Sequence, residues 1–403
     1  MKVIRINAIY AKSSTGRTAL QLDEGLKKHG IESKTACPAG LGGEGTIAIG
    51  SPADVRIHSL EARLFGDPGY HSRPATRRFL RRLEEERPDI VHLHNLHGNF
   101  IDLPMLFGWL SENRVPTVVT LHDCWWFTGR CCHYTVDGCF GWEKACGSCP
   151  RLKKDIPSWF FDRSSRMLAD KEKWFGSLDK LAVIGVSDWI TGEAKRSILK
   201  NADIIERVYN WVDTDVFRPT QSDIRKEYGL EGKFILLGVS YGWTAAKGLN
   251  ELKALSEALP EDMRLVLIGG LPAGYDAGEI INVPVTDDQR RLAEWYSAAD
   301  ACISLSPEES FGKVSAEALS CGTPIIVLDS TASPELAGEG CGEVIEDASP
   351  KTVMTAVSRI RRKGAGNYRA GCREFAERNF EMESNIARIC DIYRRLTGGD
   401  RGN

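Results

Sequence analysis

Two glutamates, Glu309 and Glu317, stand eight positions apart in SPEESFGKVSAEALSCGTPIIVLD (residues 306–329), on either side of a Phe-Gly. Carboxylates accept strongly from hydroxyls, so a pair at fixed separation suits a ligand rich in diols. The preceding ACISLS reads as a strand and FGKVSAEAL as a helix. Glu309 then sits in the turn and Glu317 about two helical turns on, roughly 8 to 12 Å away along the axis. Carboxylates that flank one scissile glycosidic bond lie closer or share one water, so this pair suits reading two parts of one elongated ligand. The first N–H groups of such a helix have no internal partner and attract anions, which places phosphate between the two acids. The plain alternative is a Glu309 that caps the helix electrostatically and a Glu317 that faces solvent.

Other clusters carry chemistry of their own. HLHNLHG puts His92 and His94 on one face of a strand with His97 just beyond. In isolation that is a metal-ligand set, but its place at a strand end favours a ligand-facing loop, with a packed histidine as the plain reading. Asp213-Thr214-Asp215 spells an Asp-x-Asp that can hold a divalent cation through diphosphate, yet it lies in a connection and not after a strand, which predicts a solvated turn. In CCHYTVDGCFGWEKACGSCP, Cys131, Cys139, Cys146 and Cys149 have intervals that could close a tetrahedral structural zinc site, with Cys132 or His133 as substitutes and buried free thiols as the alternative. Aromatic residues crowd the same region, Trp125, Trp126, Phe127, Trp142 and Trp159 to Phe161 among them, and most are expected in the core.

Strand and helix patterns position these groups. Short apolar runs begin at Val3, Ile90, Thr117 and Leu181, then again at Phe234, Arg264, Ala301 and Pro324, with amphipathic segments between. Continuously apolar strands alternating with helices predict parallel sheets covered on both faces, and two series predict two doubly wound domains facing a cleft. A length of 403 residues agrees. The pattern lapses between Asn210 and Thr220. The expected organisation is 1–209 with a Cys- and aromatic-rich insertion at 124–162, then 210–382, then a terminal helix and tail at 383–403. Ligands bind open α/β sheets at the carboxyl ends of strands, where the motifs above fall.

Mixed charges, 52 basic against 55 acidic for a net of -3, argue against nucleic acid as a partner. The basic run RPATRRFLRRLEEERPD reads as a solvated helix face with pairs such as Arg81 with Glu85. No apolar run approaches the roughly 20 residues of a membrane span, and MKVIRINAIYAKSS lacks a signal-peptide core. Six of the twelve cysteines are scattered singly, as in a reduced protein, so a cytoplasmic location is expected.

SPEESFGKVSAEAL with CGTPIIV, and upstream KGLNELKAL, resemble the donor domain of the retaining glycosyltransferase family 4, of the two-domain GT-B fold. STGRT, PDIVHLHNLHG, TLHDCWWFTG and YNWVDTDVFRP extend the resemblance over most of the chain. It implies that the amino-terminal domain is the acceptor side and the carboxyl-terminal one binds nucleotide sugar. It implies that Glu309 contacts donor-sugar hydroxyls, Glu317 the ribose and Lys247 the diphosphate, with the amides of Ser310, Phe311 and Gly312 at sugar or phosphate. His122 would face the transferred sugar, and Gly16 and Arg17 would lie near the phosphates in the first strand-to-helix loop. Two departures stand out. No basic residue lies between Phe234 and Lys247, where the family usually carries an Arg and Tyr241, Trp243 and Thr244 stand instead, so Arg17 is expected to share the neutralisation. NWVD, with Trp211, replaces Asn-Gly-Val-Asp.

The implied activity is retaining transfer of a sugar from a nucleotide-diphosphate donor to a hydroxyl of a glycan or lipid-linked glycan, in cell-surface polysaccharide synthesis, with no metal required for catalysis. A lipid-linked acceptor implies peripheral contact with the inner face of the membrane. The alternatives are a GT-B nucleotide-sugar epimerase and a noncatalytic nucleotide- or partner-binding protein.

Overall fold

Thirteen strands, every ladder between them parallel, build two sheets in this computed structural model, which describes residues 1–11 and 13–398. The chain divides into two units: Met1–Val208 with the chain from Ile386 onward, and Tyr209–Asn385.

In the first unit the strands are β1 (Lys2–Ile6), β2 (Glu32–Pro38), β3 (Ile47–Ile49), β4 (Ile90–Leu93), β5 (Thr117–Leu121), β6 (Leu181–Gly185) and β7 (Ile204–Arg207), in the order β3-β2-β1-β4-β5-β6-β7. Every residue of β4, β5 and β6 is buried, because helices cover both faces and leave no polar side to the strand. The second unit holds β8 (Phe234–Gly242), β9 (Met263–Gly270), β10 (Ile281–Val283), β11 (Ala301–Ser304), β12 (Ile325–Leu328) and β13 (Gly342–Ile345), ordered β10-β9-β8-β11-β12-β13. The order reverses between β1 and β4 and again between β8 and β11. Successive crossovers there leave in opposite directions and open a crevice at the carboxyl ends of the strands.

The eight apolar runs of the sequence are β1, β4, β5, β6, β8, β9, β11 and β12. Four of the five further strands, β3, β7, β10 and β13, lie at sheet edges, where one neighbour suffices and three or four residues complete the pairing. The helix Met382–Thr397 buries Ile386, Ile389, Ile392 and Leu396. Gly25 makes room for it: a Cβ there would lie 2.4 Å from the Ile386 Cδ1.

The first sheet also buries a charge. Arg5, fully enclosed, meets Asp23 at 2.6 Å, and Ser33 and Thr35 donate to the same carboxylate. Burial alone would raise the Asp23 pKa, but the Arg5 charge and the two hydroxyls hold it below the usual range. On the basic helix Arg73–Glu86, the partner of Glu85 is Arg82, at 2.9 Å, which also meets Glu86 at 2.8 Å. Among the described residues, no helix is long and apolar enough to cross a membrane.

Candidate active site

At the reversal point of the second sheet, the turn after β8 approaches the turn after β11. Gly248 permits the approach: its φ is +75°, and a Cβ would lie 2.7 Å from both the Cβ and the carbonyl oxygen of Leu305. Ser306 bridges the two turns, its hydroxyl donating to Ala246 O at 3.4 Å and Glu308 O at 3.2 Å. From behind, Thr331 Oγ1 accepts the Glu309 N–H at 2.9 Å, and Ser330 Oγ donates to Pro307 O at 2.5 Å. The outcome is a contact between Lys247 Nζ and Glu309 Oε1 at 2.5 Å, with the lysine side chain 42% and the glutamate 21% exposed. Both ends of this ion pair are open to an incoming ligand.

Ser310 and Phe311 are buried, and Gly312, with φ of +92°, caps the helix Lys313–Ser320 without any side-chain cap bond. Ser315 N donates to Gly312 O at 3.0 Å, and this side-chain-free start is the positive end of the helix dipole, the end that attracts anions. Glu317 is not on a solvated face: it is buried in the fifth helical position and accepts from Tyr296 OH at 3.0 Å. Burial, then the Glu317 charge, drives the Tyr296 pKa well up, so this phenol stays a donor. Trp243, in the stretch before Lys247 that carries no basic residue, is buried, its indole N–H donating to Ile268 O at 3.1 Å. It fills space against Gly238 and Gly269 and carries no charge toward a phosphate.

In the first unit, Asn7 follows β1 at the reversal point and its Oδ1 accepts from Ala8 N at 2.9 Å and Asn95 N at 3.4 Å, tying together the ends of β1 and β4. Gly16 and Arg17 belong to the first turns of the helix Ser13–Lys28, not to a loop. Gly16 O accepts from Ala11 N at 2.8 Å, and a Cβ on Gly16 would stand 3.1 Å from that nitrogen. His122, just past β5, places Nε2 3.0 Å from His94 Nδ1, and the His94 ring lies tilted with its centre 4.1 Å from that of His92. His92 uses both nitrogens, Nδ1 with Tyr393 OH at 2.6 Å and Nε2 with Thr120 Oγ1 at 2.7 Å. Burial pushes His92 and His94 far below the usual histidine range, so both are neutral. They form a packed, hydrogen-bonded row leading to His122, and His92 has no nitrogen left for a metal.

Burial also pushes the thiols of Cys131 and Cys146 up, to about 12 and about 11. Among the described residues, one group of three ligand atoms lies within 4.8 Å of one another, and it belongs to His97, Asp123 and Cys132. Cys131, Cys139, Cys146 and Cys149 form no such group, and all are free thiols. A four-cysteine zinc centre is therefore not supported, and the alternative of free thiols describes these residues. Other bonds hold this loop: Cys149 N to Asp162 at 2.7 Å, Gly129 N to Cys146 Sγ at 3.3 Å, and Arg151 to Asp137 and Asp155 at 2.9 and 3.2 Å. Beneath it, Lys171 donates to Trp125 O at 2.5 Å and Thr128 O at 3.0 Å. Asp213-Thr214-Asp215 is a turn in which Asp213 Oδ1 accepts from Asp215 N and Val216 N, both at 3.2 Å.

Reading the sequence alone missed Asn7, Thr120, Tyr296, Ser306, Thr331 and Tyr393. Asn7 had a signal, a polar residue directly after an apolar run. Tyr393 had none, since it reaches His92 from 301 residues away.

Two family models match the chain: Glycosyltransferase Family 4 over residues 15–216, and Glycosyl transferases group 1 over residues 241–363. A protein of Escherichia coli K12, named as a candidate glycosyl transferase of colanic acid biosynthesis, is 24% identical over 380 residues, covering 86% of this chain and 88% of that one. An N-acetyl-alpha-D-glucosaminyl L-malate synthase of Bacillus anthracis is 30% identical over 176 residues, 41% of this chain and 46% of its own. Among solved structures, sucrose-phosphate synthase from Thermosynechococcus elongatus superposes with a TM-score of 0.70 at 17% identity, over 99% of this chain and 100% of that one. Anabaena HepE, solved in complex with UDP, does so with a TM-score of 0.69 at 14% identity, over 98% and 100%. These neighbours share the GT-B architecture of two parallel α/β sheets, and the chain belongs to glycosyltransferase family 4.

Proposed function

We propose that this glycosyltransferase moves a sugar, with retention, from a nucleotide-diphosphate donor to a hydroxyl of a glycan or lipid-linked glycan during polysaccharide assembly. The observation that carries this reading is the Lys247–Glu309 contact beside a helix start that no side chain caps, with Glu317 buried farther along the same helix. The E. coli relative's name supports the polysaccharide context, and HepE's complex with UDP supports a uridine donor. Residues 210–382 hold the donor, and residues 1–209 serve the acceptor. Lys247 and the amides of Ser310 to Gly312 take the diphosphate and sugar, Glu309 the sugar hydroxyls and Glu317 the ribose. Gly16 and Arg17 lie toward the phosphates, and His122 orients the transferred sugar.

The diphosphate leaves with the anomeric electron pair, so the protein's task is positioning and stabilising an oxocarbenium-like state. The acceptor oxygen bonds to the anomeric carbon on the face the phosphate vacates, and its proton passes to the departing phosphate oxygen. No side-chain nucleophile and no metal ion enters this sequence. A lipid-linked acceptor brings the protein to the inner face of the membrane as a peripheral protein.

A thermal-shift screen across UDP-, GDP- and ADP-sugars tests the reading, because a ligand that binds the native state raises its melting temperature. The expected result is stabilisation by one nucleotide class, reduced in Glu317→Gln. NMR of the product then reads the anomeric configuration. No stabilisation by any nucleotide sugar, or an inverted product, would end the corresponding part of the proposal.

A further inference from the structure

The helix Pro52–Phe65 buries one face and keeps apolar residues on the other. His58 and Ala62 point inward and are buried. Ile57, Leu60 and Leu64 share the opposite stripe at helical spacing, with Ile57 56% and Leu60 50% exposed and Leu64 half-buried. A surface helix ordinarily places polar groups there.

The loop 158–161 seats against the end of this helix. Trp159 N donates to Arg63 O at 2.7 Å, and Ser158 Oγ donates to Phe161 O at 2.7 Å. Lys153 Nζ binds the carbonyls of Ser158 and Trp159 at 2.6 and 2.5 Å. Gly66 completes the fit, since a Cβ there would fall 2.1 Å from Phe161 O. The backbone is thus pinned, while Trp159, Phe160 and Phe161 stay 46%, 69% and 47% exposed beside the exposed Phe65. Three consecutive exposed aromatics thus sit on a loop bonded to the end of a helix that carries an exposed apolar stripe, and exposed apolar groups gathered in this way mark an interaction site.

Charge identifies the occupant. Arg56 and Arg63 flank the stripe and, among the described residues, neither makes an ion pair, while Arg163 lies over the Phe161 ring at 5.2 Å. The nearby acids are engaged: Asp54 in the capping box of the helix, Glu61 with His71 at 3.5 Å, Asp162 with the N–H groups of Cys149 and Ser164. Aromatic rings settle at headgroup depth and unpaired arginines seek anionic headgroups. A second copy on the same surface would set these arginines against each other.

We propose that the Ile57–Leu60–Leu64 stripe and the Trp159–Phe161 loop together dock this chain on a bilayer containing anionic phospholipid. The proposal rests on the peripheral-membrane reading for its purpose and on the exposed side chains for its chemistry.

Co-sedimentation of the full chain with vesicles of phosphatidylcholine, with and without phosphatidylglycerol, tests it. Binding should require phosphatidylglycerol and weaken with salt. Phe160→Ser combined with Phe161→Ser should lower the partition coefficient about tenfold or more, given the apolar area removed. Arg56→Gln with Arg63→Gln should remove most of the preference for phosphatidylglycerol. These side chains are exposed and outside the donor site, so melting temperature and nucleotide-sugar binding should not change. Equal binding to both vesicle types overturns the proposal, as does unchanged binding by the variants. So does a dimer in light scattering that the serine variants dissolve while vesicle binding persists. Docking without any nucleotide-sugar binding would sink the transferase reading and leave the surface standing; the converse would sink the surface alone.

Discussion

Replacing Lys171 by methionine should change how stability depends on pH, in a direction fixed by its surroundings. The ammonium is fully enclosed, donates to the carbonyls of Trp125 and Thr128, and lies 3.7 Å from the centre of the Trp125 ring. Desolvation lowers its pKa from 10.5 to about 7, partly opposed by the thiols and Asp123 around it. Below pH 7 the lysine is charged both folded and unfolded, and folding bears the whole cost of burying it. Between 7 and 10.5 the unfolded chain holds a proton that the folded chain has released, so stability rises with pH, and above 10.5 the cost is gone. At about 1.4 kcal/mol per pH unit the ceiling is about 5 kcal/mol. Buried phenols and thiols such as Tyr134 and Cys131, whose pKa values are raised, push the other way at alkaline pH, but they are common to both proteins and cancel in the difference. Methionine keeps the stem, removes the charge and strands two carbonyls, a cost of about 1–3 kcal/mol each that does not vary with pH. Urea midpoints followed by tryptophan fluorescence at pH 6, 7, 8 and 9 should give a difference between the proteins that is flat to pH 7. It should then turn against the variant by roughly 3 kcal/mol at pH 9. Parallel curves for the two proteins across that range would refute the assignment of a displaced lysine.

Glu309→Ala should reduce transfer by about a hundredfold or more with an unchanged circular-dichroism spectrum, since it removes a group expected to act on the reacting sugar. Near-normal turnover would take Glu309 out of the site. Glu317→Gln should weaken nucleotide affinity about tenfold in calorimetry, as expected for losing a charged acceptor to a diol, and an unchanged affinity would remove it from the ribose. Gly248→Ala forces a side chain into φ +75° and against Leu305 O, which should cost about 1–3 kcal/mol and displace Lys247. Its melting temperature and donor affinity should fall together, and a stable variant with normal affinity would contradict the packing argument.

Sequence patterning was most informative where burial is two-sided. The interior strands other than β2 read as largely apolar runs, broken only by single polar residues such as Arg5 in β1 and His92 in β4, because helices cover both of their faces. At the edges, one covered face or a single ladder leaves three or four residues that no periodicity reveals, as in β3 and β10. β2 escaped for another reason: Ser33 and Thr35 point inward to serve Asp23 and Arg5, so its sequence ESKTACP looks polar while most of it is buried. The same distinction governs the site. Glu309 and Lys247 lie in turns whose local residues announce a strand end. Their contact depends on Gly248, Ser306 and Thr331, each unremarkable until the two turns meet. The cysteine spacing misled because spacing constrains only the chain between ligands, and here Asp137, Asp155 and Asp162 organise the loop instead.

The Lys247–Glu309 contact makes a further demand on the proposed donor site. No arginine assists Lys247 from β8 or from the turn after it, where Trp243 packs inward, so a diphosphate must draw the ammonium away from Glu309. That exchange releases the carboxylate for the sugar hydroxyls at the moment the phosphates arrive. For a bare nucleoside diphosphate, no hydroxyl compensates Glu309, and its pull on Lys247 only opposes binding. Glu309→Gln should therefore tighten binding of the bare diphosphate while weakening binding of the intact nucleotide sugar. A partly exposed pair of this kind is worth about 0.2–1 kcal/mol, so the gain for the diphosphate should be up to about fivefold. Calorimetry with the same variant and both ligands reads the two signs directly. If both affinities fall, Glu309 assists the phosphates rather than competing with them for Lys247, and its assignment to the sugar loses its physical basis.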